Sequence, residues 1–387
     1  MSKLYQSPPV LNRSHRFPDN MQSAHALLLK AKRGEKGSKK DEYYAVPAFN
    51  VTTIQGIESA FTAFEVLGSS GLLAFSNSAL KHLGGGDSIF GVEIAADYVE
   101  RRAKRSSVQV ATHLDHGNYI GESGRKVVQA AVEGFTSVMA DNSTDHAAKQ
   151  GTALVDNIGY TREVVNMAHP VGVSVEGELG VLAGEEDEET KSEVSTYTDP
   201  EELEQFIRET GVLMLAPTIG TMHGPNKGKP GHKVKLNITL AHELLKIANS
   251  VNDEIVFVAH GASTLYPQVR DYAIAQIEAI GMDGSAAQSW KDFVGTDWDQ
   301  IQGLIGAGFC KINTDTENRQ TFVAGVLGAV RQNAAKIDIR WYDKQVWNAV
   351  TASYIQKLIM ANDYGVWHEP KIDVAKFNFD LSKVEIQ

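Results

Sequence analysis

An aspartate and a histidine stand side by side in residues 111–118, which read Ala-Thr-His-Leu-Asp-His-Gly-Asn. The segment runs from apolar residues into a glycine turn, a pattern typical of the carboxyl end of a buried β-strand. A strand that ends here presents Asp115 as a proton-transfer group and His116 as a neutral imidazole ligand. What this pair can do depends on the partners that the rest of the chain supplies.

Two more histidines, His223 and His260, follow strand-like runs and are themselves followed by glycine. Taken singly, each histidine is ordinarily a hydrogen-bonded core or loop residue. Three imidazoles with an open fourth position make a catalytic Zn²⁺ site, whereas a structural site more often uses cysteines, and the chain has one cysteine, Cys310. If one fold brings them to a common rim, His116, His223 and His260 are predicted to bind zinc.

Acidic residues accompany these histidines. Asp141 and Glu178 also end strand-like runs, where they could hold a second metal ion or instead cap helices and orient ligands. Residues 184–190 read Gly-Glu-Glu-Asp-Glu-Glu-Thr, a composition usual for a solvated acidic loop. If that loop swings over the site, Glu185 or Glu186 could act as an acid or a base.

Glycine turns after the histidines predict a phosphorylated substrate. Exposed backbone N–H groups at a strand-to-helix turn bind anions, and Ser263 can add its hydroxyl. A sugar bisphosphate needs positive charge at both ends, so Lys227 and Arg319 are candidates for the second phosphate, although each is by default a surface cation. The predicted cradle residues are Gly224, Gly261, Ala262, Ser263, Asn313, Thr314, Asp315 and Thr316.

The elements that must position these residues alternate regularly. Short β-favouring runs, each followed by a longer helical pattern, occupy residues 45–50, 71–77, 108–116, 137–142, 171–178, 213–218, 255–260 and 309–313. They predict an α/β fold, a (β/α)₈ TIM barrel, with a doubly wound open sheet as the alternative. Barrels carry catalytic groups at the carboxyl ends of their strands, and nearly every run here ends in a polar residue, Asn50 and Ser76 included.

The predicted barrel forms a single domain with an extension at each end. Residues 1–42 are expected to form an N-terminal arm with a short helix, residues 43–347 the barrel, and residues 348–387 a C-terminal helical extension and tail.

Composition limits the partners. The 387 residues include 37 Lys and Arg against 48 Asp and Glu, a net charge of −11 that leaves no broad basic surface for nucleic acid. No apolar run is long enough to cross a membrane, and the N-terminus lacks the apolar core of a secretory signal. A lone cysteine fits a reducing compartment, so the expected location is the cytoplasm.

Several motifs in succession resemble a single family. They read Tyr-Ala-Val-Pro-Ala-Phe-Asn (44–50), His-Leu-Asp-His-Gly (113–117), Phe-Thr-Ser-Val-Met (135–139), Val-Ser-Val-Glu-Gly-Glu-Leu-Gly (173–180), Ala-Pro-Thr-Ile-Gly-Thr-Met-His-Gly (216–224), His-Gly-Ala-Ser (260–263) and Lys-Ile-Asn-Thr-Asp-Thr (311–316). This set resembles the class II, metal-dependent fructose-1,6-bisphosphate aldolases. The resemblance is closer to the class IIB subgroup, which includes tagatose-bisphosphate aldolases, and it extends from residue 43 to residue 347.

The resemblance implies a (β/α)₈ barrel that cleaves fructose 1,6-bisphosphate into dihydroxyacetone phosphate and glyceraldehyde 3-phosphate, a step of glycolysis and gluconeogenesis. The implied cofactor is a catalytic Zn²⁺, held by residues that match His116, His223 and His260. Asp115 matches the aspartate that exchanges a proton with the C4 hydroxyl, and Glu186 a mobile-loop glutamate that moves the other substrate proton.

The resemblance also implies roles for the remaining polar positions. Asp141 and Glu178 match ligands of an alternative or second metal position, and a second divalent ion or a monovalent cation near the phosphate site is a further expectation. Arg319 matches the arginine that binds the far phosphate, whereas Asn50 and Ser76 match polar groups beside the substrate. The glycine turns and residues 313–316 match the dihydroxyacetone-phosphate site.

Alternative functions stay open at this point. Tagatose-1,6-bisphosphate aldolase or another ketose-bisphosphate aldolase would use the same machinery, and a metal-dependent hydrolase or a non-catalytic binding protein could share the barrel. A Schiff-base aldolase would need a buried strand lysine, and Lys311 lies near the start of its run. His113 is expected to be a neighbour inside the barrel rather than a metal ligand. A homodimer or homotetramer is the expected assembly.

Overall fold

The computed structural model describes residues 10–11, 16–39, 42–145, 150–180, 183–186, 190–192, 197–223, 234–282 and 284–382. At residues 144–145, 150, 183–186, 190–192 and 223 the description covers the backbone alone.

Eight parallel strands form a closed barrel in which every strand pairs with its neighbours in the sequence and the last strand pairs with the first. Closure of eight parallel strands confirms the predicted (β/α)₈ barrel and excludes the open sheet. The strands are β1 (Val46–Asn50), β2 (Gly71–Phe75), β3 (Val110–Leu114), β4 (Ser137–Ala140), β5 (Ser174–Leu179), β6 (Met214–Pro217), β7 (Val256–Ala259) and β8 (Phe309–Thr314).

Helices surround the barrel and connect its strands. Within the described residues they are α1 (Ala24–Lys32), α2 (Ile54–Leu67), α3 (Asn77–Leu83), α4 (Ser88–Ala103), α5 (Glu122–Gly134), α6 (Leu154–Ala168), α7 (Pro200–Thr210), α8 (Ile238–Val251), α9 (Pro267–Ala279), α10 (Gly284–Lys291), α11 (Trp298–Ala307), α12 (Thr316–Gln332) and α13 (Ile339–Met360). Two 3₁₀ turns span His169–Val171 and Val374–Lys376.

Each strand overlaps the run that predicted it, and the largest difference is at β5. This strand was predicted from residue 171 but begins at Ser174. The 3₁₀ turn His169–Val171 extends α6 instead, and it ends at Gly172, whose φ of 80° suits glycine. A left-handed residue stops the helical path, so the strand can start only after it.

The barrel side chains form two layers because successive residues of a strand face opposite sides. In β1 and β2, Ala48 and Leu72 belong to the cluster inside the barrel. Their neighbours Phe49 and Leu73 belong to the cluster between the strands and the surrounding helices. Both layers are apolar, which explains why the runs in the sequence are nearly continuous in hydrophobic residues.

Helix α1 closes the amino-terminal end of the barrel. Its residues Leu27 and Leu28 are fully buried in the interior cluster. At its end, the Lys32 ammonium donates to the carbonyl oxygen of Ile255 at 2.6 Å and to that of Asp253 at 2.7 Å, just before β7 begins. The opposite end of the barrel is therefore the one that carries the polar strand ends.

A bulge in β8 changes which of its residues face inward. Phe257 of β7 pairs with Phe309, but Val258 pairs with Lys311, so Cys310 is the extra residue. A bulge re-aims the side chains that follow it. Here Phe309 lies in the outer apolar layer, whereas the Lys311 and Asn313 side chains reach groups of β3 inside the barrel.

Short strands lie beyond the carboxyl ends of the barrel strands. The segments Ala183–Glu186 and Thr190–Ser192 form an antiparallel hairpin, and Met222–His223 pairs in parallel with the first of them. Thr144–Asp145 pairs with Gln150–Gly151. The loops after β5 and β6 are thus joined by backbone hydrogen bonds.

The C-terminal helix α13 packs against α12 and α2 on the outside of the barrel. It passes through residues 347 and 348, where the sequence predicts the end of the barrel domain, so the division of the chain into three parts stays a prediction. In the described part of the chain, no helix combines the length and the apolar character needed to cross a membrane.

Asp363 lies just after α13 and ties the end of that helix to the loop before β2. Its Oδ1 accepts a hydrogen bond from the backbone N–H of Ser70 at 3.0 Å, and the residue is fully buried. Burial raises the pKa of Asp363 well above its ordinary value, and neither the Ser70 N–H nor the charge of Lys36 reverses the shift.

We expect Asp363→Asn to stabilise the protein increasingly, relative to the parent, as the pH rises above about 4, the ordinary value for an unfolded aspartate. Below that pH both states of the parent hold the proton, so the two proteins have similar pH dependence. Above it the unfolded chain loses the proton before the folded one does, which costs the parent about 1.4 kcal/mol per pH unit until the folded carboxyl also ionises. Denaturant unfolding of both proteins from pH 4 to pH 8 measures the effect, and a constant difference in unfolding free energy would contradict it.

Candidate functional site

Asp115 follows β3 directly and is held from two sides by amides. Its Oδ2 accepts from the Asn50 side-chain N–H₂ at 2.9 Å, and its Oδ1 accepts from the Asn313 side-chain N–H₂ at 2.9 Å. Asn50 ends β1 and Asn313 lies in β8, so three strands converge on one carboxylate. The aspartate is 2% exposed, and both contacts use donors that recognise its ionised form.

The charges around Asp115 keep it ionised. Burial alone would raise its pKa, but Coulombic interactions with His116 in its protonated form, with Lys311 and with two other interior histidines lower it further than burial raises it. The net pKa lies well below the usual range, so the carboxylate is available as a proton acceptor.

Each asparagine also has a carbonyl oxygen that does not face Asp115. The Oδ1 atoms of Asn50 and Asn313 are buried and accept no hydrogen bond from the part of the chain that the structure describes. Buried acceptors without a donor are costly. The two atoms therefore mark a place where a hydroxyl-bearing ligand would find hydrogen-bond partners.

His116 follows Asp115 in a left-handed backbone conformation, with φ 51°. Its Nδ1 lies 2.9 Å from Asp141 Oδ2, and Asp141 in turn accepts from the Ser143 hydroxyl at 2.8 Å. Because an ionised carboxylate only accepts, Nδ1 carries the hydrogen and Nε2 keeps its lone pair. The hydrogen bond to Asp141 fixes the ring, and Nε2 is then the nitrogen that can act as a ligand.

His260 follows β7, and its carboxylate partner engages Nε2, whereas the partner of His116 engages Nδ1. Its Nε2 lies 2.9 Å from Glu176 Oε1, so Nε2 carries the hydrogen and Nδ1 keeps its lone pair. That Nδ1 lies 3.4 Å from Glu178 Oε2, and the ring centroids of His260 and His116 are 4.5 Å apart. Both histidines therefore have one nitrogen engaged by a carboxylate, and each ring contributes a ligand atom to one group with Asp115.

Two overlapping groups of side chains could hold a metal ion. One consists of Asp115, His116 and His260, and the other of His116, Asp141 and Glu178, and within each group the ligand atoms lie within 4.8 Å of one another. Imidazole and carboxylate donors with hydrogen-bonded outer partners suit Zn²⁺. The predicted metal-binding residues that are described thus converge, and the donor set fits the ion.

The third predicted histidine is described only through its backbone. Met222–His223 forms a short strand, and a Cβ placed on Gly261, which has φ +60°, would overlap the Met222 carbonyl oxygen. The His223 backbone is therefore next to the turn that follows His260. Its side chain, and the predicted residues Gly224 and Lys227, lie outside the described residues.

The predicted acid or base Glu186 lies in the hairpin strand Ala183–Glu186, which pairs with the strand carrying His223. His223 is in register with Gly184, and Glu186 with Thr190. The structure thus brings the hairpin backbone to the same end of the barrel, while the side chains of Glu185 and Glu186 lie outside the described residues.

The residues predicted to bind phosphate that the structure describes lie in the turns after β7 and β8, and these two turns meet. The backbone N–H of Asp315 donates to the Ser263 hydroxyl at 3.2 Å, and Ala262 beside it is buried. Helix α12 begins at Thr316, which places a helix N-terminus at this junction. Thr314 is fully buried, and its hydroxyl donates to the Ala48 carbonyl oxygen at 3.0 Å, so its side chain faces the neighbouring strand.

Arg319 and Ser76 both have protein partners. The Arg319 Nε donates to Asp315 Oδ1 at 2.9 Å, and its side chain is 40% exposed at the end of the barrel. Ser76 caps α3 by accepting from the Ala79 N–H at 3.3 Å, which gives this residue a structural role in addition to any contact with a ligand.

The sequence did not identify two buried charged residues near these histidines as functional. Glu176 and Lys311 are fully buried inside the barrel, and the Lys311 Nζ donates to Glu176 Oε2 at 2.7 Å. The available signal was a charged residue at an inward position of an otherwise apolar strand. Such a residue is rarely buried unless it is paired.

Comparison with known proteins shows the family to which the chain belongs. The family model described as "Fructose-bisphosphate aldolase class-II" matches residues 37–365. The fructose-bisphosphate aldolase of Helicobacter pylori (strain ATCC 700392 / 26695) is 34% identical over 318 residues, which are 81% of this chain and 89% of that protein. The corresponding protein of Thermus caldophilus is 34% identical over 302 residues, 78% of this chain and 87% of its own.

Solved structures show the same fold. The fructose-bisphosphate aldolase of Campylobacter jejuni superposes with a TM-score of 0.65 at 20% sequence identity and covers 92% of this chain and 98% of that one. The YdjI aldolase of Escherichia coli K12 gives a TM-score of 0.62 at 23% identity and covers 89% and 98% of the two chains. The family model and the curated relatives each span most of the sequence, and the chain belongs to the class II fructose-bisphosphate aldolase family.

Proposed function

We propose that this protein catalyses the reversible aldol cleavage of fructose 1,6-bisphosphate to dihydroxyacetone phosphate and glyceraldehyde 3-phosphate, with Zn²⁺ as its cofactor. The observation that carries the proposal is the group formed by Asp115, His116 and His260, whose ligand atoms lie within 4.8 Å of one another. A proton acceptor next to a metal-binding pair is the combination that a metal-dependent aldolase needs.

His116 and His260 would hold the ion through Nε2 and Nδ1, and His223 is the proposed third ligand. When bound, the ion supplies Lewis-acid polarisation of the substrate carbonyl and stabilises the negative charge that develops as the C3–C4 bond breaks. The chain contributes ring orientation, because Asp141 and Glu176 each engage the other nitrogen of a ligand histidine.

Asp115 is the proposed base for the C4 hydroxyl. In the cleavage direction the hydroxyl proton passes to the Asp115 carboxylate, C4 becomes the aldehyde carbon, and the C3–C4 bonding pair stays on C3. Glu186 is the proposed acid that protonates C3, and both transfers reverse in condensation. The Asn50 and Asn313 amides hold Asp115 in one orientation, which reduces the cost of aligning it with the substrate.

The substrate phosphates are proposed to bind at the two turns that meet beside α12. Backbone N–H groups of residues 261–263 and 313–316 would bind the phosphate of the dihydroxyacetone half, helped by the Ser263 hydroxyl and the helix N-terminus. Arg319 and Lys227 are proposed for the far phosphate, where a cation can neutralise its charge.

Asp141 and Glu178 are proposed to orient the ligand histidines rather than to hold a permanent second ion. Asp141 Oδ2 lies 2.9 Å from His116 Nδ1, whereas Glu178 Oε2 lies 3.9 Å from that atom and 3.4 Å from His260 Nδ1. The same two carboxylates form the second candidate group, so an ion shifted toward them is the natural alternative position.

The curated relatives bear the name fructose-bisphosphate aldolase, so the tagatose alternative is not favoured. Zinc as the metal in the cell, a homodimer or homotetramer, and a cytoplasmic location stay predictions.

We expect Asp115→Ala to lower cleavage about 100- to 10,000-fold, the usual contribution of a general base, while zinc remains bound. His116→Ala should abolish cleavage and also lose the metal. A coupled assay of triose phosphate formation, with zinc content measured on the same samples, separates the two outcomes.

His242→Ala, which removes an exposed histidine from α8, is the control and should keep both activity and zinc. Chelator treatment of the parent should abolish cleavage, and added Zn²⁺ should restore it. Undiminished cleavage after complete metal removal would contradict the proposal. Preferential cleavage of tagatose 1,6-bisphosphate would show that the proposed substrate is wrong.

Asn50→Ala and Asn313→Ala should each lower kcat about 10- to 100-fold, because the freed Asp115 carboxylate can rotate away from the substrate hydroxyl. Zinc content should be unchanged, since the amide of each asparagine donates to Asp115. Steady-state kinetics with metal analysis checks this. If both variants keep the parental kcat, the two asparagine amides are not needed to orient Asp115.

A further inference from the structure

A chain of hydrogen bonds runs through the barrel interior to one of the proposed metal ligands. It links Ser137, His113, Lys311, Glu176 and His260 in that order. His113, Lys311 and Glu176 are fully buried, so none of these contacts is exchanged with bulk water. None of the three belongs to the groups of described residues that could hold a metal ion.

The donors and acceptors in this chain allow one arrangement. An ammonium has no acceptor, so the Lys311 Nζ donates both to Glu176 Oε2 at 2.7 Å and to His113 Nε2 at 3.0 Å. His113 must then carry its hydrogen on Nδ1, which donates to the Ser137 hydroxyl at 2.8 Å. That hydroxyl donates to the Ser174 carbonyl oxygen at 3.3 Å, where the chain ends on the backbone.

In this arrangement each oxygen of the Glu176 carboxylate has a hydrogen-bond donor. Its Oε2 is occupied by Lys311, and its Oε1 accepts from His260 Nε2 at 2.9 Å. Because Nε2 holds the hydrogen, the lone pair of His260 is on Nδ1, the nitrogen that faces the candidate site. An ionised carboxylate buried in an apolar barrel would be unstable without a counter-charge, and Lys311 supplies it.

We infer that Lys311 is a positioning residue for the metal. Acting through Glu176, it fixes the hydrogen position and the orientation of the His260 ring, so that Nδ1 is presented to the ion. The inference rests on the proposed function, since it assigns Lys311 to the same site. It also explains why a buried strand lysine is present without Schiff-base chemistry, because Glu176 and His113 both engage its Nζ.

The test compares zinc affinities of metal-free proteins by competition with a chromophoric chelator. Lys311→Met should weaken zinc binding about 10- to 100-fold, the usual effect of removing an outer partner of a ligand, because Glu176 Oε2 loses its donor and the carboxylate leaves His260. In the double variant Lys311→Met with Glu176→Gln the affinity should recover, since the new side-chain amide can accept from His260 Nε2 and donate to His113 Nε2.

A second double variant, Lys311→Met with Glu176→Leu, carries no buried charge but also no acceptor for His260. It should bind zinc as weakly as Lys311→Met, and it keeps the test valid should the unpaired Glu176 of the single variant prevent folding. Neither double variant carries an unpaired buried charge, and they differ in whether residue 176 can hydrogen-bond to His260 and His113. The melting temperature of each variant separates a loss of stability from a loss of zinc affinity.

Lys357→Met is the matched control. Lys357 of α13 forms the other deeply buried lysine pair among the described residues, with Glu317 of α12 at 2.8 Å. Its loss should lower the melting temperature but leave zinc affinity unchanged.

The outcomes separate two failures. A parent protein that binds no zinc would overturn the proposed function and the inference together. Parental affinity in the Lys311 variants, or equal affinity in the two double variants, would overturn the inference alone.

Discussion

The site depends on hydrogen bonds between buried carboxylates and two histidine rings. His116 and His260 come from strands far apart in the chain, yet their ring centroids are 4.5 Å apart. Asp141 engages Nδ1 of the first ring and Glu176 engages Nε2 of the second. Each carboxylate fixes the hydrogen on one ring nitrogen, and this is the arrangement that the proposed metal site requires, with Asp115 in the same group of ligand atoms.

The architecture could be predicted from the sequence because the patterns that determine it lie within single strands and helices. A strand with apolar residues on both faces must be covered on both, and the alternation of such strands with helices yields a closed barrel. Polar residues at the ends of the runs, such as Asp115 and His260, then meet at one rim without any long-range information. For the same reason the meeting of the turns that contain Ser263 and Asp315 was predictable, since they follow neighbouring strands.

The interior contacts could not be predicted in the same way. The bulge at Cys310 decides that Lys311 and Asn313 face inward, and a bulge depends on pairing with the neighbouring strand rather than on local pattern. The protonated nitrogen of each histidine depends on partners that are distant in the chain, 84 positions away for His260 and Glu176 and 198 for His113 and Lys311. The expectation for His113 was simpler, because an inward position in a buried strand suffices to place it.

The most direct test of the account is X-ray diffraction at the zinc absorption edge from crystals loaded with one equivalent of Zn²⁺. The account predicts a single anomalous peak bound by His116 Nε2 and His260 Nδ1, with His223 as the third ligand and the Glu176 hydrogen bond to His260 intact. A peak bound by His260 through Nε2, or an ion held by Asp141 and Glu178 without His260, would contradict it.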